Sequence, residues 1–337
     1  MFRDSVLVTG ASGFIGSFIV EEALQRGFTT WAGVRKSSNR EYLQQPDIYF
    51  IDLDYTHPEI LQRQLKEHAA EHGAFTYIVH CAGVTKCVDK QDFDRVNYQQ
   101  TKNLVDALIA VGQVPKLFVF ISTLSVFGPI HETDYQPITE YDKPQPNTAY
   151  GISKLKAEQY LQGLTAFPYL ILRPTGVYGP REKDYFMMAK SIQQHVDFSV
   201  GYKRQDITFV YVKDIVQAVF LGIEKVISHR AFFLSDGQVY QSRTFSNLII
   251  RELKATKVMR ICAPLWVLKT VSIISELWAK MHHTTSTLNT DKYRIMKQRN
   301  WRCDITPAIN ELGYQPHYQL DKGVKETIKW YKEAGWL

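Results

Sequence analysis

The stretch VTGASGFIG (8–16) constrains this chain more than any other. It sets Gly10, Gly13 and Gly16 at G-x-x-G-x-x-G spacing, directly after the β-branched run SVLV. A helical pattern carried by Phe14, Ile15, Phe18, Ile19 and Ala23 begins inside it. Glycines at such a junction serve three ends: a tight turn, close backbone approach to an anion, and close packing of helix on strand. The first amides of the helix then offer free N–H groups to that anion. The rest of the first half agrees with a strand that turns into a helix. TTWAGV, IYFI, FTYIVH, KLFVFIS and YLILRP read as short buried strands, with helical segments between them. One such segment, PEILQRQLKEHAAEHG, has Pro58 suited to a first turn and Gly73 to a C-cap.

This alternation predicts an α/β fold, a Rossmann-type doubly wound parallel sheet covered on both faces. After Pro180 the alternation weakens and aromatic residues increase. The expected organisation is a nucleotide-binding domain over 1–178 and a smaller C-terminal substrate domain over 179–337. FVYV (209–212) and AFFL (231–234) still read as buried strands, so 209–234 is expected to return to the sheet. No internal repeat or low-complexity linker interrupts the 337 residues, of which 45% are hydrophobic and 22% charged. That is the balance of an ordinary globular chain. The net charge of +6 is spread without a run of one sign, which argues against nucleic acid as a partner.

Cys81, Cys87, Cys262 and Cys303 form no C-x-x-C and no metal-like grouping. A reduced, cytoplasmic setting without a bound metal is expected. The apolar run at Ser5 meets its glycine turn too soon for a secretory signal. The most apolar tract, 261–280, is broken by Lys269 and Glu276, so no transmembrane segment is expected. It reads as an apolar lid over a substrate, as plain core, or as an element lying on a membrane surface.

The end of the second strand bears on which dinucleotide the glycine turn would hold. Arg35 stands nineteen positions after Gly16, in AGVRKSSN, and no acidic residue lies between Ala32 and Asn39. An acid there would bond the ribose 2′-hydroxyl of NAD(H). Arg35, Lys36 and Ser37 suit the 2′-phosphate of NADP(H) instead, unless they are simply exposed loop residues. NADP(H) is therefore the expected cofactor, with NAD(H) as the alternative. Asp52 and Leu53, after the third strand, are placed to meet the adenine.

AYGISK (149–154) sets Tyr150 one helical turn ahead of Lys154, a spacing common on ordinary helix surfaces. Its neighbours give it meaning. FISTLSVFG brings Ser122, Thr123 and Ser125 to a strand end before it, and LRPTGVYGP closes the next strand after it. Together with TGASGFIG, IDLD, HCAGVT and VNYQQTKNL, these stretches resemble the extended short-chain dehydrogenase/reductase family, of the NAD-dependent epimerase/dehydratase type. The resemblance runs from Val8 to the terminal ELGYQP and WYKEAGWL.

It implies an enzyme. Tyr150 would be the general acid/base, and Lys154 would supply a cation and bond the nicotinamide ribose. Thr123 would hold the substrate oxygen, with Ser125 as a second candidate. The chemistry is consistent, because a phenol of pKa about 10 needs a neighbouring cation to act near neutrality. The resemblance also implies cofactor contacts from Ser12, Phe14, Ile15, Cys81, Ala82, Gly83, Pro174 and Val177, and places Thr85 and Gly176 beside the substrate. Asn97 either braces backbone or touches a ligand. A homodimer through helices at 99–111 and 153–164 is implied as well, with Leu104, Leu108 and Val111 packing on Leu155, Leu161 and Leu164.

The family spans nucleotide-sugar epimerases, sugar dehydratases and reductases of apolar ketones. Its 4,6-dehydratases follow the catalytic Thr with an Asp-Glu pair, whereas this chain has Leu124 and Ser125. Nucleotide-sugar members often carry an Asn just before V-Y-G-P and an Arg seven residues before the later Asp, both for phosphate. Here those places hold Gly176 and Ile207, counted from Asp214, which leaves Arg181 or Arg204 as substitutes. The pattern is more similar to the dihydroflavonol-reductase and 3β-hydroxysteroid-dehydrogenase branches. The expected activity is hydride transfer between the nicotinamide and a carbonyl or secondary alcohol of a small apolar substrate. A nucleotide-sugar epimerase is the alternative. A non-catalytic NADP(H)-binding sensor is a second one, against which Thr123, Tyr150 and Lys154 argue.

Overall fold

The computed structural model describes residues 4–282, 284 and 288–337. Strands β1 (Ser5–Thr9), β2 (Thr29–Gly33), β3 (Tyr49–Ile51), β4 (Tyr77–His80), β5 (Leu117–Ile121) and β6 (Tyr169–Pro174) alternate with helices. The helices are α1 (Phe14–Gln25), α2 (Pro58–His72), α3 (Gln91–Phe93), α4 (Gln100–Ala110) and α5 (Ala149–Gln162). Among the described residues these strands join β11 (Arg230–Leu234) in a seven-stranded sheet, in the order β11-β6-β5-β4-β1-β2-β3. Every neighbouring pair in it is parallel. Pro58 opens α2 and Gly73 caps it at φ 82°, as the residue pattern predicts.

The two faces of the sheet explain the near-continuous apolar runs. Along β1, Val6 and Val8 join one buried cluster with Ile19, Ala23 and Phe220. Leu7, between them, joins the other with Leu61, Leu104 and Leu161. A strand covered on both sides leaves no position for a solvated residue. This also corrects the expected subunit contact. Leu104, Leu108 and Leu161 are buried against the chain's own sheet, with Val111 and Leu164 at the margin of the same cluster. Leu155 packs on the opposite cluster. The apolar faces of α4 and α5 are needed to cover the sheet, so they are not free to pair with another copy.

The second half builds a layer beside the carboxyl ends of the strands. Its helices are α6 (Lys183–Gln193), α8 (Thr244–Leu253), α9 (Leu265–Met281), α10 (Thr290–Lys297) and α11 (Leu320–Glu333), while α7 (Val212–Lys225) packs on the face of the main sheet beside α1. Three small strand pairs accompany them: β7 (Gly176–Tyr178) with β10 (Phe209–Tyr211), β8 (Val196–Val200) with β13 (Met259–Ala263), and β9 (Asp206–Ile207) with β12 (Tyr240–Gln241). AFFL returns to the main sheet within β11, as expected, but FVYV does not. Phe209–Tyr211 pairs with β7 instead, because the free edge of β6 is taken by β11. Tyr178, Phe209, Tyr211 and Phe245 then anchor a third buried cluster. The tract expected to be lid, core or surface forms β13 and α9. Plain core is excluded for α9, since most of its large apolar side chains face outward.

Candidate functional site

The glycine turn has the shape its spacing predicts. Gly10 sits at φ +65°, and a Cβ there would lie 2.7 Å from the Ala82 nitrogen. A Cβ on Gly16 would collide with the Gly10 carbonyl oxygen. The turn is thus folded on itself and closed against the end of β4, leaving room for main chain alone. Gly13 caps α1 without a side-chain hydrogen bond, and the first turn of α1 holds no acidic residue. A dinucleotide pyrophosphate fits such a cradle, because uncapped amides and the helix dipole both favour an anion.

Thr9 and Gly33 are in register across β1 and β2, so the exposed Arg35, Lys36 and Ser37 emerge beside this turn. The Lys36 N–H donates to Asp52 Oδ2 at 3.1 Å, and the Arg35 N–H to Ser38 Oγ at 3.1 Å. Asp52 therefore fixes the loop backbone and leaves both cationic side chains outward. Leu53 is buried next to it. Cys81, Ala82 and Gly83 continue from β4 across the turn, and burial pushes the Cys81 thiol up to about 12. Ser12, Phe14 and Ile15 lie in or just after the turn, and Pro174 and Val177 lie where the chain leaves β6.

Tyr150, Lys154 and Thr123 meet at the sheet's carboxyl edge. Thr148 caps α5 by accepting the Gly151 N–H at 3.0 Å. A Cβ at Gly151 would stand 2.6 Å from the Ser125 carbonyl oxygen, so α5 lies directly on the turn after β5. That close approach brings the Tyr150 phenol near enough to Thr123 for the threonine to favour its ionisation. The Thr123 Oγ also accepts the Ser125 N–H at 3.1 Å. Burial pushes the Tyr150 phenol up to about 12, against the pull of Thr123. Burial brings Lys154 down to about 8, opposed by Cys81 and Glu158. The Lys154 ammonium donates to the Ile121 carbonyl at 2.8 Å and rests over the Phe120 ring at 4.3 Å. It lies 3.6 Å from where a Gly83 Cβ would stand, beside the expected cofactor path. Thr85 is exposed in the loop after β4.

Three supporting features were not legible in the sequence. Between α3 and α4 the helix widens into a π-helical stretch, Asp94–Gln99, a form that often marks functional sites. Asn97 lies within it. Its Oδ1 accepts the Val84 N–H at 2.8 Å, while Nδ2 donates to Val84 O and Ser153 Oγ, each at 3.0 Å. Asn97 is therefore a brace between the β4 loop and α5. The second feature is a buried relay. The Ala82 N–H donates to Thr9 Oγ1 at 3.2 Å, which lies 2.8 Å from His80 Nδ1. His80 Nε2 lies 2.9 Å from Thr101 Oγ1, which donates to Asn97 O at 2.9 Å. Since Thr101 gives its proton to Asn97, His80 must donate through Nε2 and accept at Nδ1. Burial, with Lys154 nearby, brings His80 down to about 3, so it stays neutral.

The third feature is an ion pair one turn past Lys154. Glu158 is fully buried and takes Arg173 Nη2 at 2.7 Å and Nε at 3.1 Å. It also accepts the Ser122 hydroxyl. This ties α5 to β6 and to the residue before Thr123. The signal was present in Y-x-x-x-K-x-x-x-E, but acidic residues at helical spacing are too common to single out.

Helices α9 and α10 cover the edge. The Ala149 N–H donates to Asp291 Oδ2 at 2.7 Å, and Arg294 Nη1 donates to Asn147 O at 2.7 Å. Glu276 of α9 accepts the Thr290 hydroxyl at 2.6 Å and pairs with Lys90 at 3.0 Å. Burial works against the Glu276 charge, but the Thr290 and Lys90 bonds bring its pKa down to about 2. Glu276 and Ala279 line a small cavity with Phe93, whose ring meets Tyr150 edge-on at 6.2 Å.

On the other side, a Cβ at Gly176 would lie 3.0 Å from the Tyr185 hydroxyl and 3.2 Å from the Phe209 ring. Ile207 packs at the margin of the same aromatic cluster. The two arginines expected as substitutes are both engaged. Arg181 bonds Ser17 and Glu21 at 3.0 and 2.6 Å, and Arg204 holds Asp206 and stacks on Tyr135. Among the described residues no cluster of His, Cys, Asp and Glu could hold a metal, and no helix is long and apolar enough to cross a membrane.

Residues 6–233 match the NAD dependent epimerase/dehydratase family. The chain is 26% identical to a UDP-glucose 4-epimerase of Vibrio cholerae, covering 98% of this chain and 96% of that protein. It is 23% identical to a decarboxylating sterol-4-alpha-carboxylate 3-dehydrogenase of Saccharomyces cerevisiae, covering 98% and 99%. Among solved structures it superposes on a dTDP-glucose 4,6-dehydratase of Bacillus anthracis in complex with NAD, with a TM-score of 0.77 at 20% identity. That match covers 98% of this chain and 97% of that one.

Proposed function

This chain belongs to the NAD dependent epimerase/dehydratase family, and from that premise we propose that it interconverts an apolar ketone and its secondary alcohol with NADP(H). The observation that carries this reading is the wall at Gly176. Where a diphosphate-holding Asn would stand, Tyr185 and Phe209 fill the space and Ile207 adds an apolar neighbour. With Arg181 and Arg204 engaged elsewhere, a nucleotide sugar would meet an aromatic surface in place of phosphate-binding groups. The similarity to a sterol dehydrogenase supports an apolar substrate. The family match and the relatives named above do not single out the dihydroflavonol reductases.

Held by the turn of Gly10, Gly13 and Gly16, a nicotinamide cofactor would supply or accept the hydride. Tyr150 gives its proton to the carbonyl oxygen, and Thr123 holds that oxygen in place. Lys154 offsets the charge left on the phenolate, and Glu158, Arg173 and Ser122 keep α5 and the β5 turn in register. Asn97 holds the β4 loop against α5. A homodimer remains part of this reading, with contacts on outward residues of α4 and α5 such as Ile109 and Ile152, and light scattering would detect it.

A cofactor balance tests the function. Stoichiometric NADPH consumption with apolar ketones is the expected result. Reaction with UDP- or dTDP-sugars alone, without net NADPH consumption, would make the chain an epimerase and overturn the reading.

Two further outcomes follow. Arg35→Asp should lower the preference for NADPH over NADH by about ten- to a hundredfold, the worth of one or two charge-assisted bonds. Native protein that binds NADH more tightly in a fluorescence titration would contradict the assignment. The pH profile carries a sign as well. Lys154 is cationic below about 8, so kcat/KM for reduction should be level near neutrality and fall above that point. A rate that climbs steadily from about pH 8 to 10 would exclude a charged Lys154 as Tyr150's partner.

A further inference from the structure

The outer face of α9 is not explained by catalysis. Trp266, Ile273, Ile274, Leu277, Trp278 and Met281 are all exposed, with Trp266 at 72%, Ile274 at 61% and Met281 at 71%. At about 100° per residue they fall within one arc of roughly 140°. Leu268, Ser272 and Ala279 occupy the opposite arc and are buried. The helix is therefore seated by a narrow inner stripe and turns a wider apolar stripe outward. Contiguous apolar surface of this kind marks an interaction site.

Among the described residues the stripe itself carries no acidic side chain. Glu276, the acidic residue of α9, is turned inward to Thr290 and Lys90. Lys269 flanks the stripe and is exposed, with no ion pair to another described residue. The chain enters α9 from β13, whose Met259 is exposed, as is Phe198 of the paired β8. Leu265 joins the two elements, lying 3.7 Å from where a Gly201 Cβ would stand. Lys203 is exposed just past the end of β8 that adjoins the start of α9. Asp197 of β8 is buried under Arg243.

We propose that α9 docks this protein on an anionic lipid bilayer, with its apolar stripe in the headgroup boundary and Lys269 and Lys203 on the lipid charge. Two tryptophans, aliphatic side chains on one arc and a basic rim are the composition that lies flat in a membrane interface. A globular partner or a second copy of this chain would have acidic residues to meet these lysines only by coincidence, whereas an anionic leaflet presents negative charge everywhere. The same helix roofs the cavity beside Phe93 and Tyr150, so docking would bring the cleft to the bilayer. That last consequence rests on the apolar-substrate reading; the docking does not.

The test is co-sedimentation of the full chain with phosphatidylcholine vesicles, with and without phosphatidylglycerol. The bound fraction should rise with the anionic lipid and fall with added salt. Ile274→Asp with Leu277→Asp should lower vesicle binding at least about tenfold, since each removes a large apolar group from the interface. Its melting temperature and its turnover of a water-soluble ketone should stay those of the native protein. Lys269→Glu should weaken binding to anionic vesicles alone. Absence of co-sedimentation overturns the proposal, as does equal binding by the double variant. So does light scattering in which the native chain is dimeric without vesicles and the double variant is monomeric. Vesicle binding together with failure on every ketone would leave the docking intact and overturn the functional reading.

Discussion

Tyr150→Phe should retain the fold and the cofactor affinity and lose turnover by about 10²–10⁴-fold, the usual contribution of a general acid. The phenol hydroxyl is the only atom removed, and the ring keeps its edge contact with Phe93. Loss of the hydroxyl leaves Thr123 Oγ still bonded to the Ser125 N–H, so the β5 turn has a reason to hold its shape. Steady-state kinetics with NADPH and an apolar ketone, beside a cofactor titration of the same preparation, separates the two quantities. A variant that keeps a tenth or more of native turnover would remove Tyr150 from the chemistry. One that fails to bind NADPH would make it a structural residue.

The second large effect is expected at Gly16. Gly16→Ala puts a methyl group into the Gly10 carbonyl, a main-chain atom that cannot rotate away. Either the turn opens or α1 backs off β1, and both spoil the anion cradle. Cofactor affinity should drop by more than about a hundredfold, because close backbone approach is what the site offers the pyrophosphate. Forced overpacking usually costs about 1–3 kcal/mol of stability, so a lowered melting temperature should accompany it. Calorimetric unfolding and cofactor titration would measure both. Native affinity in this variant would place the pyrophosphate away from the glycine turn.

These two positions belong to the part of the molecule that was readable from residues alone. The glycine spacing and the tyrosine–lysine pair are local, and their meaning is set by elements within a few turns of chain. The sheet was readable for a related reason, since strands buried on both faces leave unmistakable apolar runs. What escaped was non-local. Asp291 reaches the start of α5 from 142 residues away, and nothing in either segment announces the other. The leucines of α4 and α5 misled because an apolar helix stripe looks the same whether it covers a sheet or a partner. FVYV misled likewise: its residues make a good buried strand, and only the prior occupation of the β6 edge decides which strand it joins.

The π-helical stretch at Asp94–Gln99 means more for this chain than its brief length suggests. A π turn is an α-helix carrying one residue too many, held in place by what that residue touches. Phe93 before it and Thr101 after it both face inward, one toward Tyr150 and the other toward His80. Were the same residues wound at ordinary α pitch, with none removed, the segment ahead of the stretch would turn by about 100°. Phe93 would then leave the tyrosine, although no contact of α4 with the sheet had been touched. The register of this helix is thus a length requirement written into the chain. A homologous segment one residue shorter would reach the same two contacts as an uninterrupted α-helix, so the wide turn and the extra residue go together.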